Sequence, residues 1–107
     1  MISFLPFEEK DGVTFKAFDS ETELGSCRFT LSGYDMLFTA VSCEDDIMAE
    51  GLARAAMNYA ANRNAYIAKI GKDIVCPAFL RLGFEGDEIL SAEIPQALSS
   101  GCSCGHN

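Results

Sequence analysis

The chain has 107 residues, room for one domain and one modest core, and its 49% hydrophobic composition is enough to fill that core. Eight basic residues against sixteen acidic ones give a net charge of -8, which repels nucleic acid and anionic membrane surfaces and removes both from the expected partners. The opening MISFLPFEEKDG lacks a basic leader region, no apolar run reaches the length of a membrane span, and five cysteines without a secretory signal point to reduced thiols and a cytoplasmic location.

Residues 2–7 mix β-branched, aromatic and apolar side chains and read as a strand that Pro6 restricts to a sheet edge. Asp11-Gly12 reads as a turn, after which Val13, Phe15 and Ala17 alternate with Thr14, Lys16 and Phe18 in the two-residue rhythm of a strand. A turn over residues 20–23 leads into a strand over residues 24–32. Cys27, Phe29 and Leu31 share one face of it, and Ser26, Arg28 and Thr30 the other. Ser32-Gly33-Tyr34-Asp35 folds this strand back onto an apolar one over residues 36–41. The first forty residues are therefore an antiparallel meander without a helix.

Residues 34–84 read as a β-α-β-α unit. After the strand and an acidic turn over residues 42–46, a helix of about sixteen residues runs to Asn62 or Arg63. It carries Met48, Leu52, Ala55, Ala56, Tyr59 and Ala60 on one stripe. A strand over residues 65–70 should pair parallel to residues 36–41 through a right-handed crossover. Asp73 is the expected cap of a second helix, with Pro77 near its start. Gly83 suits the left-handed position after the last turn, and Phe84 should fold back onto Phe79. A strand over residues 88–93, a single helical turn over residues 95–99 and a small, polar, flexible tail from about residue 100 complete one domain. The fold class is α/β (α+β in looser usage), a mixed, mostly antiparallel sheet with two main helices.

A strand that runs straight into a helix brings unpaired helix amides to the carboxyl edge of the sheet, where α/β folds bind anionic ligands. Here Glu44, Asp45, Asp46 and Glu50 surround that point. One carboxylate about 6 Å from a phosphate charge costs roughly 3 kcal/mol at an effective dielectric near 20, against about 0.3 to 1 kcal/mol from a helix N-terminus. The acids also suit a plainer role as caps and dipole partners of the helix. Arg54, Asn58, Asn62 and Arg63 form the helix's polar face and the best positive patch for an outer phosphate. Glu8, Glu9, Asp19 and Glu21 are general-base candidates that read equally as surface carboxylates. Cys102, Cys104 and His106 place soft ligands at alternate positions, with Cys76 as a fourth, but lack the two spaced pairs of a structural zinc site, so no metal is assigned. Cys76 alone suits either an activated thiolate or a small core residue.

Leu24-Gly25 in a strand, the alanine-rich helix after a strand and the closing Leu82-Gly83-Phe84, in this order, resemble the GNAT-type N-acetyltransferase (acyl-CoA N-acyltransferase) fold over about residues 13–94. The chain resembles a minimal form, without the helix pair that members carry between their first two strands. The resemblance implies acetyl-CoA as cofactor, its pantetheine along Thr39, Ala40 and Val41 and its pyrophosphate on amides around Ala49, Glu50, Gly51 and Leu52. It also implies an acceptor amine on a small molecule or peptide.

The family's Gln/Arg-x-x-Gly-x-Gly/Ala turn is matched only in part. Aligned on Leu52, its three positions are Glu44, Ile47 and Ala49; aligned on Gly51, the first two are Asp46 and Ala49. Phe79 stands where members commonly carry a tyrosine general acid, and Lys72 near where an asparagine is often found. The alternative function is a GNAT-like fold that has lost catalysis and serves as a binding or assembly module, as a homodimer joined through edge strands.

Overall fold

Side chains that alternate between apolar and polar decide which face of each strand turns inward, and the alternation here builds one large sheet. In the computed structural model, the backbone is described for residues 2–102 and side chains for residues 2–99. The elements are β1 (Ile2–Glu9), β2 (Gly12–Asp19), β3 (Thr22–Ser32), β4 (Asp35–Ser42), α1 (Asp46–Ala61), β5 (Ile67–Gly71), α2 (Pro77–Arg81), β6 (Glu85–Gly86), β7 (Ile89–Glu93) and α3 (Ile94–Cys102). The seven strands lie in the order β1-β2-β3-β4-β5-β7-β6. Every neighbouring pair is antiparallel except β4 and β5, which are parallel and joined through α1. The β1–β2 turn falls on Lys10 and Asp11, and Gly12 already pairs within β2.

The register keeps apolar residues opposite one another. Val13 faces Phe29, Phe15 faces Cys27, Phe29 faces Phe38, Met36 faces Ala68 and Ile70 faces Leu90. All of these are buried in one core cluster together with Leu52, Ala56 and Ala60 of α1, Phe79 of α2, and Ile94 and Ala97 of α3. The three helices therefore share one face of the sheet. On the other face Thr14 lies opposite Arg28, and Leu37 lies between Thr30 and Lys69. These residues stay half-buried or exposed, as an antiparallel sheet with one wet side allows.

Helix α1 buries more than the expected stripe. Ala49, Ala53 and Met57 are buried beside Leu52, Ala56 and Ala60, whereas Met48, Ala55 and Tyr59 are half-buried. The reason is tertiary, because both α2 and α3 pack on α1: Arg81 reaches its first turn, and the Arg54 Nη1 donates to the Leu98 carbonyl at 2.9 Å. Helix α3 runs nine residues rather than the single turn expected over residues 95–99. Asn64, at φ +78°, closes α1 in the left-handed region that asparagine tolerates, and the Ala65 N–H donates to the Ala60 carbonyl at 3.0 Å.

Helix α2 departs from expectation at its start. Cys76, not Asp73, is its N-cap, and Pro77 occupies the first helical position. Asp73 belongs instead to the turn that leaves β5, where the amides of Ile74 and Val75 donate to the Gly71 carbonyl at 3.0 and 3.1 Å. The end of α2 is as expected. Gly83, at φ +100°, donates to the Leu80 carbonyl, Phe84 donates to the Phe79 carbonyl, and the rings of Phe79 and Phe84 meet edge to face at 5.2 Å. No described helix is long and apolar enough to cross a membrane.

Gly83→Ala should destabilise the fold by about 1 to 2 kcal/mol, because a Cβ in the left-handed region is strained even in open space. Urea unfolding measures this as a lower midpoint at unchanged slope. An unchanged midpoint would show that this turn does not anchor Phe84.

Candidate functional site

The ladder between β4 and β5 lasts four residue pairs, from Asp35 opposite Ile67 to Phe38 opposite Ile70. On its other side β4 continues against β3, with Ala40 opposite Arg28, Val41 opposite Cys27 and Ser42 opposite Ser26. Between the Phe38 and Ala40 pairs Thr39 is an extra residue, a bulge whose Oγ1 donates to the Arg28 carbonyl at 3.3 Å. Bulges bend the strand that carries them. β5 ends at Gly71, and the Lys72 N–H turns away to the Glu88 carbonyl at 3.0 Å. Residues 39–42 consequently have no paired strand on the β5 side. The sheet opens there into a wedge at the carboxyl ends of its two parallel strands, the usual ligand position in sheets of this kind.

Helix α1 begins beside the wedge. Its cap is Asp45, whose Oδ1 accepts from the Ile47 amide at 2.9 Å and the Met48 amide at 3.3 Å. Across the wedge stands α2, where the buried Phe79 ring lies 5.0 Å from that of Phe38, nearly perpendicular to it. Arg81 reaches from α2 to Asp46 and lies 3.4 Å from Glu50. On the β3 side of the β4 end, Glu23, Leu24, Gly25, Ser42, Cys43 and Asp45 line a cleft of about 460 Å³. Gly25 permits that closeness, since a Cβ there would sit 2.8 Å from the Cys43 sulfur.

Thr39, Ala40 and Val41 thus lie together on the unpaired part of β4, the first two exposed and the third half-buried. Ala49, Glu50, Gly51 and Leu52 lie elsewhere, three or more residues inside α1. The Ala49 amide donates to the Asp45 carbonyl at 2.9 Å, and the amides after it belong to the helix's own ladder, so they are not free for a phosphate. Ala49 and Leu52 are core residues. Gly51 lets β1 approach, because a Cβ there would meet the Phe4 ring at 2.6 Å. Glu50 is paired with Arg54 at 3.3 Å as well as with Arg81. The amides at the wedge are those of residues 46–48.

The polar face of α1 also reads differently in three dimensions. Arg54 is engaged by Glu50 and Leu98, and Arg63 stacks 3.6 Å over the Tyr59 ring and reaches Glu8, at the opposite end of a helix about 24 Å long. Glu8 and Glu9 are held at that far end, by Tyr59 and Arg63 and by Arg28 respectively. Asp19 ends β2, and Glu21 lies in the turn to β3. The cation that meets the first turn of α1 is Arg81. No sequence motif marks it, because its position depends on how two helices dock.

Three cysteines are reduced and described. Cys27 is buried beneath α1, its sulfur 3.9 Å from the Leu52 carbonyl, and burial pushes its thiol up to about 12. Burial also raises the Cys43 thiol, against a hydrogen bond to the Asp45 backbone that lowers it. Cys76 is half-buried at the start of α2. The group Cys102, Cys104 and His106 lies outside the described side chains. Among the described residues no cluster of three or more His, Cys, Asp or Glu side chains could hold a metal.

No protein-family model and no curated protein matches the sequence. Solved structures match the fold. A probable acetyltransferase from Staphylococcus epidermidis superposes with a TM-score of 0.67 over 77% of this chain and 67% of its own, at 16% identity. The PaiA N-acetyltransferase from Thermoplasma acidophilum, in complex with coenzyme A, gives 0.67 over 78% of this chain and 61% of its own, at 10% identity. A GNAT family acetyltransferase from Brucella melitensis, in complex with acetyl-CoA, gives 0.63 over 76% and 57%, at 13% identity. The chain therefore spans between 57% and 67% of the length of these proteins. It has the GNAT-type N-acetyltransferase fold, a mixed, mostly antiparallel sheet with three helices.

The buried Cys27 thiol should make the fold sensitive to alkali. Below pH 9 it is neutral in both states. Above its ordinary value of 9.0 the unfolded chain ionises while the folded chain keeps its proton up to about 12, so the unfolded state binds fewer protons and stability falls with rising pH. The expected loss is about 1.4 kcal/mol per pH unit between these limits. Cys27→Ala should flatten that slope in urea titrations run from pH 8 to 11. An equal slope in both proteins contradicts the assignment.

Proposed function

We propose that this chain binds acetyl-CoA in the wedge between β4 and β5 and transfers the acetyl group to an amine of a small molecule or peptide. The observation that carries this reading is the parting of the two parallel strands after Phe38, in a fold shared with proteins solved with coenzyme A and acetyl-CoA. On its side away from β3, the backbone of Thr39, Ala40 and Val41 offers hydrogen-bond groups to the pantetheine amides. In this reading the pyrophosphate meets the first-turn amides at residues 46–48, which open α1, rather than those of Ala49, Glu50, Gly51 and Leu52. When bound, the coenzyme supplies an acetyl thioester activated for attack by an amine.

What this chain adds is binding and orientation, which supply a large share of such rate enhancements. Phe79 has no proton to give and its ring is committed to Phe38 and Phe84, so it walls the wedge and does not act as an acid. Asp45 already occupies two of the first-turn amides, and a phosphate must share or displace that carboxylate. The alternative is a fold of this type without catalysis that serves as a binding or assembly module, as a homodimer joined through edge strands.

Isothermal titration with acetyl-CoA at low and moderate salt separates the two. The coenzyme reading expects saturable heat below millimolar ligand, weakening as salt screens the phosphates. Chromatography of coenzyme A released from acetyl-CoA with a panel of amines then reads turnover. No heat at millimolar acetyl-CoA overturns the coenzyme reading and leaves the assembly module.

A further inference from the structure

Arg81 is the last residue of α2 and crosses the rim of the wedge to α1. Its Nη1 donates to Asp46, the first residue of α1, and its Nη2 lies 3.4 Å from a Glu50 oxygen one turn further on. Phe79, two residues before Arg81, lies on Phe38, the last residue of β4 that pairs with β5. A single guanidinium therefore ties the two helical walls together at the rim. Its side chain is 48% exposed, and that of Asp46 is 44% exposed. Ion pairs this open to water contribute little to stability and exchange partners readily.

The contacts of Arg81 leave the first turn of α1 with an internal substitute for a ligand. The Asp45 carboxylate fills two amides that could meet a phosphate, and the Asp46 and Glu50 carboxylates occupy a guanidinium that could do the same. Guanidinium groups bind phosphate through two parallel hydrogen bonds, a geometry that the split contact to two separate carboxylates does not provide. A phosphate entering the rim would therefore offer Arg81 a partner better matched than either of those it holds.

We propose that Arg81 is a switchable phosphate-binding residue, held by Asp46 and Glu50 in the free protein and released to a phosphate of the coenzyme, so that these two acids set the affinity for phosphate-bearing ligands. The inference rests on the reading of the wedge as a coenzyme site. It assigns Glu50 a different part from amide-mediated binding: it competes with the ligand for Arg81. It also assigns Arg81 a selective part, since ligands without a phosphate gain nothing from its release.

The test is a set of titrations with two probes, acetyl-CoA and S-acetylpantetheine, which lacks phosphate. Arg81→Gln should weaken acetyl-CoA binding by about fivefold and leave S-acetylpantetheine unchanged, while Arg81→Lys, with charge but no fork, should fall between. The double variant Asp46→Asn with Glu50→Gln should tighten acetyl-CoA by about fivefold, and adding Arg81→Gln to it should abolish that gain. Circular dichroism checks that each variant folds.

Equal losses for both probes would show that Arg81 only braces the helices. Acetyl-CoA binding indifferent to Arg81→Gln would remove the switch while sparing the coenzyme site. No acetyl-CoA binding by the natural chain or by the Asp46/Glu50 variant would remove both.

Discussion

The structure depends on one contact, the nearly perpendicular packing of Phe79 on Phe38 at 5.0 Å. Phe38 is the last residue at which β4 and β5 still pair, and Phe79 belongs to the short helix that follows β5. The contact fixes α2 at the point where the strands part, and the Thr39 bulge then carries the rest of β4 away from β5. Gly83 and Phe84 brace the same ring from behind. Removing a fully buried phenylalanine costs about 3 to 5 kcal/mol, a large share of the stability of a domain this size. The wedge is thus a consequence of how the core is packed, and its floor is as rigid as the core.

Electrostatics shapes the rim in a different way. A net charge of -8 would make an acidic turn a poor place for phosphate if its carboxylates pointed freely at the ligand. They do not. Asp45 turns inward onto the helix amides, and Asp46 and Glu50 turn sideways onto Arg81. The repulsion expected of free carboxylates near a phosphate is accordingly an upper limit, although Glu44 and Asp45 are both exposed along the cleft. Such self-pairing contributes little to the stability of the protein.

Much of this was legible in the residues. Val13, Phe15 and Ala17 announced a strand by period, the alanine-rich segment announced a helix that could lie close to a sheet, and Gly83 with Phe84 announced the helix end together with its ring contact. These signals are local, so they survive folding. The parts that were not legible depend on docking. Ala49, Ala53 and Met57 are buried because other elements pack on α1, and α3 runs beyond the single turn expected. Cys76 replaces Asp73 as a cap because the chain leaving β5 first turns back on the Gly71 carbonyl. The amides of Ala49 to Leu52 lie past the helix start at Asp46, inside its hydrogen-bond ladder, whereas the motif aligned on Leu52, from Glu44 to Ala49, spans the first turn and includes the amides of residues 46–48. Arg81 carries no motif, because only the meeting of two helices brings it to the rim.

The central claim is that the opening beside residues 39–42 receives the coenzyme, and amide NMR tests it most directly. On titration of the labelled chain with acetyl-CoA, the account predicts that the largest shifts fall on the amides of Thr39, Ala40 and Val41 and on those of residues 46–48. The far end of α1, around Tyr59 and Arg63, should stay unmoved. Shifts centred on Glu8, Tyr59 and Arg63, or on the uncovered sheet face around Leu37 and Lys69, would contradict it.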